Sequence, residues 1–191
     1  MNLQHVNVKF PLANQSGVNL EPLVPVFHSW IRNKVCEELM IDIADYRHVP
    51  EGPGVMLIGH QADYSVDNTE NILGVRYNRK TSLDGSNQDR LRQAARAALT
   101  AAQRLDSEST LGGKFGIDGQ TVHVFFNDRL LAPNNDTTKT AVGPELDAFL
   151  KKLFRGADVS LIYESQPRRL FGVAARASKA FSTADLLSNL A

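Results

Sequence analysis

Two stretches set far apart in the chain, His5 to Phe10 (HVNVKF) and Thr121 to Phe126 (TVHVFF), carry Val, Val and Phe at the same alternate positions. Such alternation is the period of a strand with one buried face, because successive side chains point to opposite sides. Val6, Val8 and Phe10 therefore correspond to Val122, Val124 and Phe126. After each stretch come a loop containing Leu-Ala and Asn and then a helix opened by Glu and Pro. Leu and Phe lie on the inner face of each helix: Leu23 and Phe27 in one, Leu146 and Phe149 in the other. Two further strands follow each helix, ELMID with VMLIG and later DVSLIY with LFGVA. The pattern predicts duplicated strand-helix-strand-strand units. Two such units make an α+β fold, a mostly antiparallel sheet with helices packed on one face. A chain of 191 residues suits a single domain over 1–191, with pseudo-repeat halves at about 1–110 and 111–191.

The remaining elements follow from local chemistry. Asn19 is placed to cap a helix carrying Leu20, Leu23, Phe27, Trp30 and Ile31 inward, with Pro22 and Pro25 in or near its first turn. Leu39–Ala44 and Val55–Ile58 are apolar strands joined by the turn Glu51-Gly52-Pro53-Gly54, and Ile72–Lys80 is the next strand, after a polar loop. Asp89–Leu105 has a helical stripe of Leu91, Ala94, Ala95, Ala98, Leu99, Ala102 and Leu105, stopped by Gly112-Gly113. Lys114–Ile117 and Thr121–Phe126 read as a hairpin about Asp118-Gly119, and Pro144 as the start of a helix. Val159–Tyr163 and Leu170–Ala174 read as strands, and Ser182 opens a short terminal helix.

Lys plus Arg equals Asp plus Glu at 21 each, so whole-chain charge favours neither nucleic acid nor an anionic membrane. The single Cys36 excludes an internal disulfide and fits a reducing compartment. No window approaches the length of apolar residues that a membrane span needs. A soluble, cytoplasmic chain without membrane insertion is the expectation.

The segments ELMIDIADYRHV, GPGVMLIGH, RYNRK and NDRLLAPN resemble those of a family of uncharacterised bacterial proteins of about this length. The resemblance implies that these segments belong together. It carries no substrate, cofactor or catalytic residue onto this chain.

The stretch from Glu38 to Asn68 gathers the residue types that do chemistry. His28, Asp42, Asp45, His48, His60 and Asp63 are of the kinds that ligate divalent metals, yet they show no ligand spacing, and neither a metal nor a cofactor is expected. Pairs such as Asp42 with His60, or Asp45 with His48, suit proton transfer near neutral pH. Serines lack a nucleophile elbow, and Gly52-Pro53-Gly54 lacks the features of a phosphate-binding loop. Asn127, Asp128 and Arg129 directly follow a strand, where loops often hold binding groups.

Charge is segregated along the chain. Residues 37–70 carry eight acids against Arg47, a net of −7, and residues 76–104 carry seven bases against two acids, a net of +5. Arg76, Tyr77, Arg79 and Lys80 form a basic-aromatic strand of the sort that stacks RNA bases, although alternation divides them between two faces.

The expected function is a non-enzymatic protein-binding or assembly factor whose partner is a protein. Its candidate binding residues are Asp42, Asp45, His48, His60, Asp63, Tyr64, Asn127, Asp128 and Arg129. The alternatives are a small-molecule or metal-dependent enzyme or sensor with a pocket about the 38–68 hairpin, and RNA binding through Arg76, Tyr77, Arg79 and Lys80. Nucleic acid is the less favoured partner, and the sequence leaves oligomeric state open.

Overall fold

A computed structural model describes residues 1–191. Its elements in chain order are β1 (Val6–Pro11), α1 (Leu23–Arg32), β2 (Met40–Tyr46), β3 (Gly54–Gly59), β4 (Ala62–Asp67), β5 (Gly74–Arg79), α2 (Asn87–Ser107), β6 (Thr121–Phe126), α3 (Asp136–Leu153), β7 (Val159–Tyr163), β8 (Gly172–Ala177) and α4 (Thr183–Asn189). The strands form one sheet in the order β2-β3-β4-β5-β1-β6-β8-β7. Every neighbouring pair is antiparallel. The fold is α+β, with helices against the sheet.

The two alternating strands of the sequence lie side by side at the centre. Val8 stands opposite Tyr77 of β5 on one side and Val124 of β6 on the other. Val6, Val8, Phe10, Val122, Val124 and Phe126 are each no more than 1% exposed and form the floor on which the helices rest. α2 crosses β1 and β5. Its predicted stripe, from Leu91 to Leu105, is fully buried, and its alanines let the helix lie close to the strands. Ser86 and Asp89 cap it reciprocally: Asp89 N donates to Ser86 Oγ at 3.2 Å and Ser86 N to Asp89 Oδ2 at 2.9 Å, an arrangement worth about 1 kcal/mol. α1 lies over β2 and β3, burying Leu23, Val26, Phe27 and Trp30. α3 and α4 pack on α2.

Several boundaries differ from the sequence reading. The expected polar loop before Ile72 contains β4, whose Ala62, Tyr64 and Val66 face the helices while Asp63, Ser65 and Asp67 face away. α3 begins eight residues before Pro144. Asn135 caps it by accepting from Thr138 N at 2.9 Å, and Pro144 sits inside it. Its first turns are polar because Thr137, Lys139 and Thr140 are exposed. Asn19 does not cap α1; its side chain accepts from Glu21 N in the preceding turn. Lys114–Ile117 forms no strand, only an isolated bridge from Ile117 to Leu12. The Gly-Pro-Gly turn is present. Gly54 there has φ +64°, and a Cβ on it would overlap the Val66 carbonyl oxygen, so that position needs glycine.

The duplication is not confirmed. The sequence matches β2 and β3 with β7 and β8, yet β8 pairs directly with β6 while β3 is separated from β1 by β4 and β5. The first half contributes five strands and the second three, so the halves do not correspond strand for strand.

Candidate functional site

The strand residues that alternate with the core floor point to the sheet face opposite the helices. Register sets Lys9 of β1 between Arg76 of β5 and His123 of β6, and Asn7 between Asn78 and Phe125. Asp63, Ser65 and Asp67 of β4 share this face. A face without helices is ordinarily solvated, but Asn7 is 0%, Asp67 1%, Lys9 2% and His123 8% exposed. Charges seldom lie this deep unless paired and hydrogen-bonded.

These groups do find partners. Lys9 Nζ donates to Asp67 Oδ1 at 2.6 Å and to the Thr69 carbonyl at 3.2 Å. Asp67 also accepts from Thr69 N at 3.1 Å, Thr69 Oγ1 at 2.9 Å and Arg76 Nη1 at 3.3 Å. Arg76 Nη2 donates to Asn7 Oδ1 at 3.1 Å, and the guanidinium lies 5.4 Å from the centre of the Phe125 ring. Arg76 Nε is buried with no hydrogen-bond partner.

Burial pushes the Lys9 ammonium below its usual range, and Asp67 only partly offsets this. Burial pushes Asp67 the other way, but Lys9 and Arg76 together hold its carboxyl below the ordinary value. Burial, with Lys9 alongside, brings His123 down to about 4, so its imidazole is neutral at pH 7.

Above this floor is a cavity of about 340 Å³, walled by the β4–β5 loop, the loop after β6 and the β7–β8 loop. Its charged lining is Lys9, Arg76, Arg129, Arg168 and Arg169 against Asp67, Glu70 and Glu164, a net of +2. Arg169 bridges Glu70 and Glu164 and so ties two of the walls together. Asn134 Nδ2 ties the third, donating to the Gln166 carbonyl at 2.9 Å. Arg129 and Arg168 line the cavity outside every ion pair of the chain. The arrangement can hold a small anion by charge-assisted hydrogen bonds.

Of the residues singled out in the sequence, this cavity brings together Arg76 and Arg129. Asn127 is exposed, and Asp128 accepts from Leu131 N within its own loop. On the edge strand Asp42 accepts from its neighbour Ile43 N, Asp45 holds Arg47 at 2.7 Å, and His48 is exposed beside Tyr46. His60 is exposed at the end of β3. Asp63 is 7% exposed and paired with Lys80 at 2.7 Å. Tyr64 is on the helix side, its hydroxyl donating to Glu38 at 2.8 Å. Asp42, His60, Tyr64 and Arg129 do not converge on one pocket, because these side chains leave the sheet on different faces and edges. No three His, Cys, Asp or Glu side chains are grouped to hold a metal.

The basic-aromatic strand is likewise not one surface. Tyr77 is fully buried under α2 with its hydroxyl on Glu38 at 2.6 Å, Arg79 is 3.9 Å from the same carboxylate, and Arg76 faces the opposite side. A buried ring has no face left to stack on a base.

Sequence reasoning missed Lys9, Asp67, His123, Arg168 and Arg169. One signal was available: Lys9 and His123 are titratable residues at the polar alternate positions of the two central strands, beside Asn7 and Thr121. The segregated acidic and basic segments meet partly inside the fold, at Asp67–Arg76, Asp63–Lys80 and Glu38–Arg79.

No family model, curated protein or solved structure matches the chain.

Proposed function

We propose that the protein binds a small, strongly hydrophilic anion, bearing phosphate or several carboxylates, in the cavity on the helix-free face of the sheet. The observation that supports this is the convergence of five cationic side chains on a 340 Å³ space, two of them, Arg129 and Arg168, unpaired. Ligand pockets occupy about 300–1,000 Å³, so the volume suits a metabolite-sized molecule. A buried ion cluster is weak evidence of stabilisation, because desolvation roughly cancels the attraction; a recognition role accounts for the position of Lys9, Asp67 and Arg76 better than stability does. In this reading the Lys9–Asp67 pair fixes Arg76 from below, and the loop arginines close on the ligand from above.

The test is calorimetric titration with inorganic phosphate, citrate and glucose 6-phosphate at low salt, on the natural chain and on Arg129→Ala/Arg168→Ala. Saturable binding of one of them, at least about tenfold weaker in the variant, is expected. Absence of binding by all three, or unchanged affinity in the variant, refutes the proposal.

A separate observation favours a protein partner as a second reading. β2 is an edge strand, and Leu39 (62% exposed), Ile41 (58%) and Tyr46 (41%) stand out from it or its approach. Open strand edges invite pairing with another chain. Chemical crosslinking should recover a defined partner with the natural chain and lose it with Leu39→Lys/Ile41→Lys; equal recovery by both removes this reading.

A further inference from the structure

A second cavity, also about 340 Å³, lies on the opposite face of the sheet, between α2 and the segment joining α1 to β2. Its residues on α2 run from Asp89 to Arg104, about 22 Å along the helix axis at 1.5 Å per residue. Its chemistry differs from that of the first. The floor is Trp30, Tyr64, Ala97 and Ala101, with Val35 and Cys36 on the far wall. The polar atoms beneath are already spent inward: the hydroxyls of Tyr64 and Tyr77 both donate to the Glu38 carboxylate, which Gln93 also reaches. Although Gln93 and Thr100 of α2 add polar groups to the cavity wall, the Tyr64 ring thus offers it carbon surface. Cys36 adds to this, since burial followed by the nearby Glu38 charge pushes its thiol up to about 12, and it lines the wall uncharged.

The rim is basic. Arg92, Arg96 and Arg104 recur along one side of α2 and all border the cavity. Asp89 holds Arg92 at 2.6 Å. Arg96 and Arg104 are exposed and take part in no ion pair. The acids at the rim are Asp89 and Glu37, so the lining has a net charge of +1. A trough with an aromatic and aliphatic floor, a partly polar wall and unpaired guanidiniums at its border is complementary to an amphiphile with one acidic end. A docked protein segment fits less well: stable protein interfaces bury on the order of 1,200–2,000 Å², whereas this volume falls within the range of small-molecule pockets.

We infer that this cavity is a binding site for a small amphiphilic acid, an alkyl or aryl body on the Trp30–Tyr64 floor with its carboxylate on Arg96 or Arg104. It is independent of the anion cavity, from which the thickness of the sheet divides it.

Trp30 is the sole tryptophan of the chain and lines this cavity alone, so its fluorescence reports occupancy directly. The experiment titrates the full chain with dodecanoate and, in parallel, with dodecan-1-ol, both below micellar concentration, and repeats the acid titration on Arg96→Glu/Arg104→Glu. Expected are a saturable change in Trp30 emission with dodecanoate, at least about tenfold weaker binding of the alcohol, and a similar loss in the variant. No saturable change with dodecanoate overturns the inference, as does equal affinity for acid and alcohol. Unchanged dodecanoate affinity in a variant with natural circular dichroism overturns the assignment of the head group. The acid-against-alcohol comparison uses the natural chain, so it decides the matter even if the variant does not fold.

Discussion

Replacing Lys9 by Met removes one half of an ion pair whose side chains are 3% and 1% exposed. Methionine preserves most of the volume and leaves the Asp67 carboxylate in a dry site without its closest cation. Breaking a buried pair from one side costs roughly 3–5 kcal/mol. Asp67 keeps Arg76 at 3.3 Å and two donors from Thr69, so the lower end applies, about 3 kcal/mol. For a chain of this length that is a fall in Tm of roughly 6–12 °C. Asp67→Asn strands Lys9 instead, at a cost of about 2 kcal/mol; the cost is smaller because burial already pushes that ammonium towards neutrality. The double variant removes both charges together, so the two costs should fall short of additive by about 1.5 kcal/mol or more. Urea unfolding at pH 7, with equal m values required across the four proteins, gives each term. The sign with pH follows from Asp67, whose folded pKa is depressed. The pair's contribution is complete above the unfolded carboxylate pKa, about 3.9, and is lost as pH falls through the lower folded value. The Lys9→Met deficit should therefore be full at neutral pH and shrink in strong acid. A deficit below about 1 kcal/mol, or strictly additive costs, refutes the reasoning.

Three further outcomes are expected. His123 is neutral when folded, with its pKa lowered to about 4, so between there and about 6.5 the unfolded state binds more protons and stability falls as pH falls. The loss amounts to about 3 kcal/mol, and a His123→Gln variant compared at pH 7 and pH 4 should lack it. Lys9, Asp67 and Asp118 are the charges that act on this imidazole. Glu38→Ala leaves the Tyr64 and Tyr77 hydroxyls without their shared acceptor; a cost of about 2 kcal/mol in thermal unfolding is expected, with altered near-ultraviolet circular dichroism. Cys36, with its thiol pushed to about 12, should react with iodoacetamide at pH 8 roughly 10³-fold more slowly than a free thiol, in proportion to its thiolate fraction, and urea should restore the ordinary rate.

The core was legible in the sequence because its residues repeat at fixed periods. HVNVKF and TVHVFF announced the central strands, and the alanine stripe after Asp89 announced α2. β4 was hidden by the property that gives it a part in the site: Asp63, Ser65 and Asp67 alternate with its apolar residues, and a strand bearing carboxylates on one face reads as a polar loop. The start of α3 is hidden in the sequence because its first turns are exposed and polar, so that Pro144 is the first visible helix signal. The duplication was inferred from spacing alone, and spacing cannot tell which strand will pair with which. The anion cavity was the least legible feature. Lys9, Asp67, Arg76, His123 and Arg129 come from four strands and a loop, and only sheet register makes neighbours of them. The hairpin, rich in His and Asp, lies at the sheet's edge, where those side chains are exposed or paired locally.

The position of β1 bears on how the chain is made. Its two partners, β5 and β6, both follow it in the chain, and the second is not complete until Phe126. During synthesis the central strand can pair on one side once β5 is made, but must wait with its other hydrogen-bonding edge open until β6 has been delivered. A chain stopped before Thr121 would expose one side of that strand to whatever edge it met first. The strand that anchors the finished sheet is therefore a hazard of the unfinished one, and delivery of β6 closes its second edge.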